Sequence, residues 1–174
     1  MIITKQTKLE TIQELGSECT RCNSCCKFDS GIVLNEDIPR IAKYLGISSE
    51  KLKNEFLVEH DRFNTNCFKF KLEKSNKKDN KPFGQCIMLD EEKGCKIHDV
   101  KPLHCRVCSP RSKHGEDLSQ WFALNYLVNL NDSESIRQWA SFLHTNNAIV
   151  GGELKDLVPD KVKLQNILSY EVLK

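Results

Sequence analysis

The chain has 174 residues, 39% of them hydrophobic and 29% charged, and its 26 Lys and Arg against 24 Asp and Glu give a formal net charge of +2. That length suits one compact domain or a core with an appendage, and so even a charge balance excludes the broad basic surface of a nucleic-acid binder. No apolar run approaches the ~18 residues of a membrane span, and the opening MIITKQTKLE lacks the basic-then-apolar pattern of a signal peptide, so a cytoplasmic, reducing setting is expected, with no membrane and no nucleic acid as partner.

The first feature in chain order is CTRCNSCC, residues 19–26, with four thiols in eight positions. A short extended piece follows and then a helix, with Asn35 as the expected N-cap and Glu36 and Asp37 at the positive end of the helix dipole. Pro39 falls in the first turn, where no intrahelical donor is lost. Ile38, Ile41, Ala42 and Leu45 make one apolar stripe, and Gly46 ends the helix. A second helix is predicted from Ser48 or Ser49, carrying Leu52 and Phe56 inward. RFNTNCFKFKLEK alternates apolar and polar residues as a half-buried strand does. SNKKDNKPFG, with Lys74, Lys77, Lys78 and Lys81, reads as a solvated loop. A hairpin follows, with its turn at Asp90 to Gly94 bringing Cys86 and Cys95 together. Three helical patterns close the chain: one from Leu118 with Trp121, Phe122 and Asn125 on one face, one from Ser133 burying Ile136, Trp139, Ala140 and Leu143, and one from Asp160 burying Leu164, Ile167 and Leu168. The predicted fold is an α-rich α+β arrangement: a small Cys-rich metal-binding centre with a β-hairpin, flanked by helices. The predicted division is 1–115 as the Cys-cluster domain and 116–174 as a helical extension packed on it.

Nine cysteines are present: Cys19, Cys22, Cys25, Cys26, Cys67, Cys86, Cys95, Cys105 and Cys108. An odd number in a reducing compartment, with pairs two residues apart, points to metal before it points to disulfides. Cys19-x2-Cys22-x2-Cys25 can wrap three corners of a [4Fe–4S] cluster, the fourth ligand arriving from elsewhere. The same spacing also makes a zinc knuckle. Cys25 and Cys26 are adjacent, and in an extended segment they would point to opposite sides. Cys108 is not followed directly by Pro, as the last ligand of an ordinary ferredoxin would be. Cys22 and Cys105 lie much farther apart than the roughly 15–20 residues between the knuckles of a zinc ribbon. Any site must therefore be assembled by the fold.

CTRCNSCC followed by GQCIMLDEEKGCKIHDVKPLHCR resembles the CxxCxxCC family, a zinc- or iron-chelating domain, over about residues 19 to 108. The family's motif cysteines fall on Cys19, Cys22, Cys25, Cys26, Cys86, Cys95 and Cys105, and NEDIPRIAKYLGIS resembles its Asp-containing helix. The resemblance implies that these seven cysteines bind the metal or cofactor; Cys108, which makes a chelating pair with Cys105, joins them as a metal candidate. Asn23 stands where many members have Gly, His98 where they have Tyr, and Lys101-Pro102 where they have Arg-Pro; Cys67 is an addition with no role in the motif. His98 reads as a half-exposed filler of the Tyr slot, and Arg106 either as a donor to cluster sulfurs or as half of a surface salt bridge.

The expected function is a metal-binding protein that holds an iron–sulfur cluster, with zinc as the alternative or as a companion, acting in redox chemistry, metal handling or a complex with a protein partner. The family includes flagellin lysine N-methylase, so a protein-modifying enzyme is the alternative, and a structural zinc domain a further one. No GxGxxG loop is present to cradle a nucleotide.

Overall fold

The computed structural model describes residues 1–17, 23–73, 83–109 and 112–169. Cys19, Cys22 and residues 74–82, which hold all the lysines of the predicted loop, lie outside these. The described chain is a mixed fold of helix and small sheets, 47% helical and 16% strand, so helices dominate as the sequence predicts.

Helix α1 (Leu9–Gly16) opens the chain, and α2 (Ser24–Phe28) carries the end of the first cysteine cluster. A three-stranded antiparallel sheet is formed by β1 (Ile32–Val33), β2 (Leu57–Arg62) and β3 (Thr65–Phe70), in the order β1-β3-β2. Between β1 and β2 run α3 (Ile38–Leu45), α4 (Ser49–Lys51) and a π-helical turn, Leu52–Phe56. Ser48 caps α4 by accepting from the Lys51 amide at 3.1 Å, as its predicted position requires. Gly46, at φ +68°, closes α3 in the left-handed conformation that favours glycine.

At the start of α3 the N-cap position is Asp37 rather than Asn35. Asp37 is buried, and its carboxylate accepts from the Leu34 amide at 3.1 Å. Its side chain does not cap the amides of α3; the carboxylate turns back to Leu34 and out to the Leu103 amide instead.

The segment read as one strand at 62–74 is broken by a two-residue hairpin turn, Phe63–Asn64, joining Arg62 to Thr65. Both turn residues have positive φ, +54° and +53°. Such turns ordinarily announce themselves with glycine; here tertiary contacts impose the shape. Phe63 packs edge-on against Trp139 at 5.4 Å, the Asn64 amide donates to Gln138 Oε1 at 3.1 Å, and Asn64 Nδ2 donates to Asp132 Oδ2 at 2.6 Å.

Two short pairings complete the β-structure. β4 (Leu72–Glu73) pairs with β5 (Gln85–Cys86), and β6 (Leu89–Asp90) with β7 (Gly94–Cys95). The second is the predicted hairpin, closed by Asp90 Oδ1 accepting from the Glu92 and Lys93 amides at 3.0 and 2.9 Å. A 3-10 turn, His98–Val100, leads to α5 (Leu103–Val107). The remaining helices are α6 (Gly115–Tyr126), α7 (Ser133–Leu143), α8 (Leu154–Leu157) and α9 (Lys161–Leu168). Asp132 caps α7 and Asp160 caps α9, the latter where the sequence places it. Leu168, predicted to be buried, is exposed, because α9 turns only Ile167 fully inward.

Two apolar cores result. The first joins Ile3 and Ile12 to Leu118, Trp121, Phe122, Ile136 and Trp139, so the amino-terminal helix packs with the carboxy-terminal ones. The second is smaller and contains Val33, Ile38, Ile41, Leu52, Leu57, Phe70, Met88 and Ile97. The sheet contributes to both by strand alternation: Ile32 and Cys67 belong to the first, Val33 and Phe70 to the second.

Candidate metal centre

The cysteines around the second core lie on elements too short to be stable alone, and longer-range ties place those on α2, β5 and α5. Asn23, the position where many relatives of this motif carry Gly, has φ +60° and starts α2 in the left-handed region. Asn is among the few side chains that tolerate it, which explains the exchange. α2 then puts Cys25 and Cys26 on one helical turn. Their sulfurs stand 3.7 Å apart, not on opposite sides as an extended segment would hold them, because successive residues of a helix diverge by only about 100°. The Gly84 amide donates to the Phe28 carbonyl at 3.0 Å, fastening α2 to the strand that carries Cys86.

Cys105 is carried by α5, whose start is anchored from α3. The Leu103 amide donates to Asp37 Oδ1 at 3.2 Å, and Arg40 donates to the same carboxylate at 2.7 Å. The Lys101 carbonyl accepts from Arg40 at 3.4 Å and from Arg106 Nε at 3.0 Å. Arg106 thus holds the backbone beside the thiols. Gly31 lies against the Cys105 sulfur so closely that a Cβ built there would collide with it. The glycine is needed for space, not for backbone conformation.

Cys25, Cys26, Cys86, Cys95 and Cys105 together line one cavity of about 50 Å³. Phe70, Met88, Ile97 and Pro102 give it apolar walls, and His98 and Lys101 line it too. His98 is a partly buried wall residue, in keeping with the Tyr slot. Cys108 lies elsewhere: it packs against the first core, with its thiol directed to the Leu118 carbonyl at 3.9 Å. Cys67 is buried in the first core and donates to the His60 carbonyl at 3.2 Å. Among the described residues, no three His, Cys, Asp or Glu side chains converge as a ready-made single-ion site.

The thiols work against one another's ionisation. The hydrogen bond from Cys26, helped by the Lys101 charge, holds Cys25 down to about 6 against the opposing effect of burial. The same contact, with burial, pushes Cys26 up. Burial lifts Cys86 to about 11 and raises Cys105, whose thiolate would also face that of Cys25. One thiolate is therefore favoured and the others are opposed by apolar walls and like charge. A soft cation removes both obstacles, so the donor set fits a thiophilic metal centre.

A polypeptide that gathers thiols from a CxxCxxCC run, a hairpin and a later helix into one cavity belongs to the class of cysteine-cluster metal-binding domains. The sequence pattern of the CxxCxxCC family, described as a putative zinc- or iron-chelating domain, matches residues 18–123, and the chain belongs to that family. It is also similar to an uncharacterized protein of Methanocaldococcus jannaschii, 36% identical over 94 residues, which are 53% of this chain and 44% of the relative. The chain thus spans less than half the length of that relative. No solved structure matches.

Sequence reasoning placed the hairpin thiols together but missed Gly31 and the Asp37 anchor. A glycine five residues beyond a thiol cluster carries no signal of its own. Asp37 was visible as an acidic residue at a helix start and as part of the segment resembling the family's Asp-containing helix, without its partners at Leu103 and Arg40.

Proposed function

We propose that this protein holds an iron–sulfur cluster, of the [4Fe–4S] type, in the cysteine cavity, its four terminal thiolates drawn from Cys19, Cys22, Cys25, Cys26, Cys86, Cys95 and Cys105, with the remaining thiols of this set available to a companion zinc ion. Residues 1–115 form the cluster domain in this reading and 116–174 its helical extension. The observation that carries it is the convergence of five thiols from α2, β5, β7 and α5 on one apolar-walled cavity. Its volume of about 50 Å³ is several times the ~10–15 Å³ that one water-sized sphere requires, which favours a polynuclear centre over one ion. Such a cluster supplies one-electron redox chemistry. The protein then serves redox chemistry or metal handling together with a protein partner in the cytoplasm. The exposed rings of Phe28 and Phe83, two residues after Cys26 and three before Cys86 in sequence, support a partner docking near the centre.

Anaerobic purification followed by iron, sulfide and zinc analysis and a visible spectrum tests this. The expected result is a brown protein with a broad absorption near the charge-transfer region and iron matched by acid-labile sulfide. A colourless protein with stoichiometric zinc, not reconstituted by iron and sulfide, overturns it and leaves a zinc-chelating domain.

A further inference from the structure

A second cavity, of about 460 Å³, shares no residue with the cysteine cavity. Its size falls in the ~300–1,000 Å³ range of small-molecule sites. Trp139 and Phe142 stack at 4.9 Å with an interplanar angle of 22°, and Phe63 stands edge-on to both at 5.4 and 6.1 Å, so a cluster of three packed rings contributes to the lining. Phe63 owes its place to the left-handed turn at the tip of the β2–β3 hairpin, a conformation that costs a bulky residue on the order of 1–3 kcal/mol. Charged side chains line it as well. Arg62 and Lys113 are exposed at the rim, and neither has an ion-pair partner among the described residues. Glu116 is the one acidic side chain among the described lining residues, leaving the rim net positive.

The amino-terminal end of the 12-residue helix α6 also opens here through Gly115 and adds its partial positive charge. The amide side chains are already engaged: Gln120 donates to Asn147 O at 2.8 Å and accepts from the Ile149 amide at 3.1 Å. Recognition therefore falls to the rings and the cations. Trp139 and Phe142 lie beyond residue 123, where the match to the family ends. The cavity is thus built where the family's segment meets the carboxy-terminal helices of this chain.

We propose that this cavity binds a small aromatic anion, with its ring against Phe142 and its carboxylate or phosphate group held by Lys113 and by Arg62, whose guanidinium stands over the Phe63 ring at 5.4 Å from its centroid. The proposal is independent of the metal in the cysteine cavity.

The test uses the full 15N-labelled chain with its metal as purified, following the Trp139 indole and Asn146 amide signals during titration with phenyl phosphate, benzoate, inorganic phosphate and benzyl alcohol. Saturable shifts are expected with phenyl phosphate or benzoate, the tighter of the two naming the head group, and binding at least about tenfold weaker with inorganic phosphate and benzyl alcohol. Arg62→Gln and Lys113→Gln should each weaken binding roughly three- to tenfold, as expected of partly screened charged contacts. Glu116→Gln should tighten it about two- to fivefold, a gain that misfolding cannot produce. Absence of saturable shifts with either aromatic anion overturns the proposal. So does equal binding of benzyl alcohol or inorganic phosphate, or an affinity unmoved by Glu116→Gln.

Discussion

Replacing Gly31 with Ala is the sharpest probe of the cysteine cavity, because it adds a single methyl group where the chain has no room for one. The added Cβ would collide with Cys105 Sγ and stand 3.3 Å from His104 Nδ1 and 3.6 Å from Cys105 Cβ. His104 offers little give, since its ring is wedged edge-on against Phe122 at 4.9 Å. The thiol must therefore swing out of the cavity, or α5 must move off β1. Overpacking of this kind costs roughly 1–3 kcal/mol, equivalent to about 2–12 °C in Tm for a chain of this size. Because the displaced atom is a proposed donor sulfur, the metal content should fall as well. Gly46→Ala is the control: its φ of +68° makes the substitution costly by about 1–2 kcal/mol, yet nothing lies within 4 Å of the added atom. Metal per chain and thermal unfolding of both variants read the two effects apart. The reasoning is refuted if Gly31→Ala keeps wild-type metal content and Tm, or if Gly46→Ala loses as much metal.

Cys25, Cys26, Cys86, Cys95 and Cys105 changed singly to Ala should each lower metal occupancy, as should Cys19 and Cys22, while Cys67→Ala and Cys108→Ala retain it; metal analysis of the purified variants decides, and equal loss from Cys67 would show that the site is misassigned. Asp37→Asn removes a carboxylate that accepts from Leu34, Leu103 and Arg40, so a stability loss of about 1–3 kcal/mol is expected in denaturant titrations, with partial loss of metal because α5 is no longer anchored. The hydrogen bond from Asn64 holds the Asp132 carboxyl below its ordinary value of 3.8. Its contribution is full above that value and is lost as pH falls through the lowered folded one. The Tm advantage of wild type over Asp132→Asn should accordingly shrink between pH 6 and pH 3, and a constant difference would remove the link. Stripping the metal should lower the thermal midpoint while leaving most of the far-ultraviolet helical signal, because the first core holds α1 and α6 to α9 without the cavity thiols; unchanged stability of the apo protein would argue against metal-coupled folding of the centre.

Helices with strong caps and stripes were legible in the sequence. Ser48 and Asp160 begin helices where their side chains can accept from the first turn, and Ile136 and Trp139 are buried as their spacing demands. Helix α1 was not, since its buried faces, Ile12 and Gly16, make contact only with distant partners; a Cβ on Gly16 would lie 2.7 Å from the Arg106 carbonyl. Strand β2 was hidden because LVEHDR shows only Leu57 buried, and its pairing depends on the turn at Phe63 that no local rule predicts. Cys25 and Cys26 were misread in orientation for the same reason: a five-residue helix has too little sequence to declare itself, and the Phe28 to Gly84 link that secures it spans the chain. The candidate donors, by contrast, were named by their spacing and the family likeness, and Cys25, Cys26, Cys86, Cys95 and Cys105 among them line one cavity.

The distribution of apolar residues explains why the thiols sit where they do. The first core draws on two tryptophans, Phe122 and a set of aliphatic residues from both ends of the chain, and each fully buried large side chain contributes about 1.5–3 kcal/mol. The second core has no tryptophan, and the pairings that deliver Cys86 and Cys95 are two residues long. Such pairings bury too little surface to offset the entropy of fixing their loops. Asp37, Arg40 and Arg106 fix one wall of the cavity through the backbone at Lys101 and Leu103. Across the cavity, Asn23 at the start of α2 comes up to the β6–β7 hairpin, its side-chain amide lying 3.4 Å from where a Cβ of Gly94 would be. A metal centre bridging Cys25 or Cys26 to Cys95 and Cys105 would join these short elements directly, which would make the ligand a structural element of the smaller core as well as its functional group.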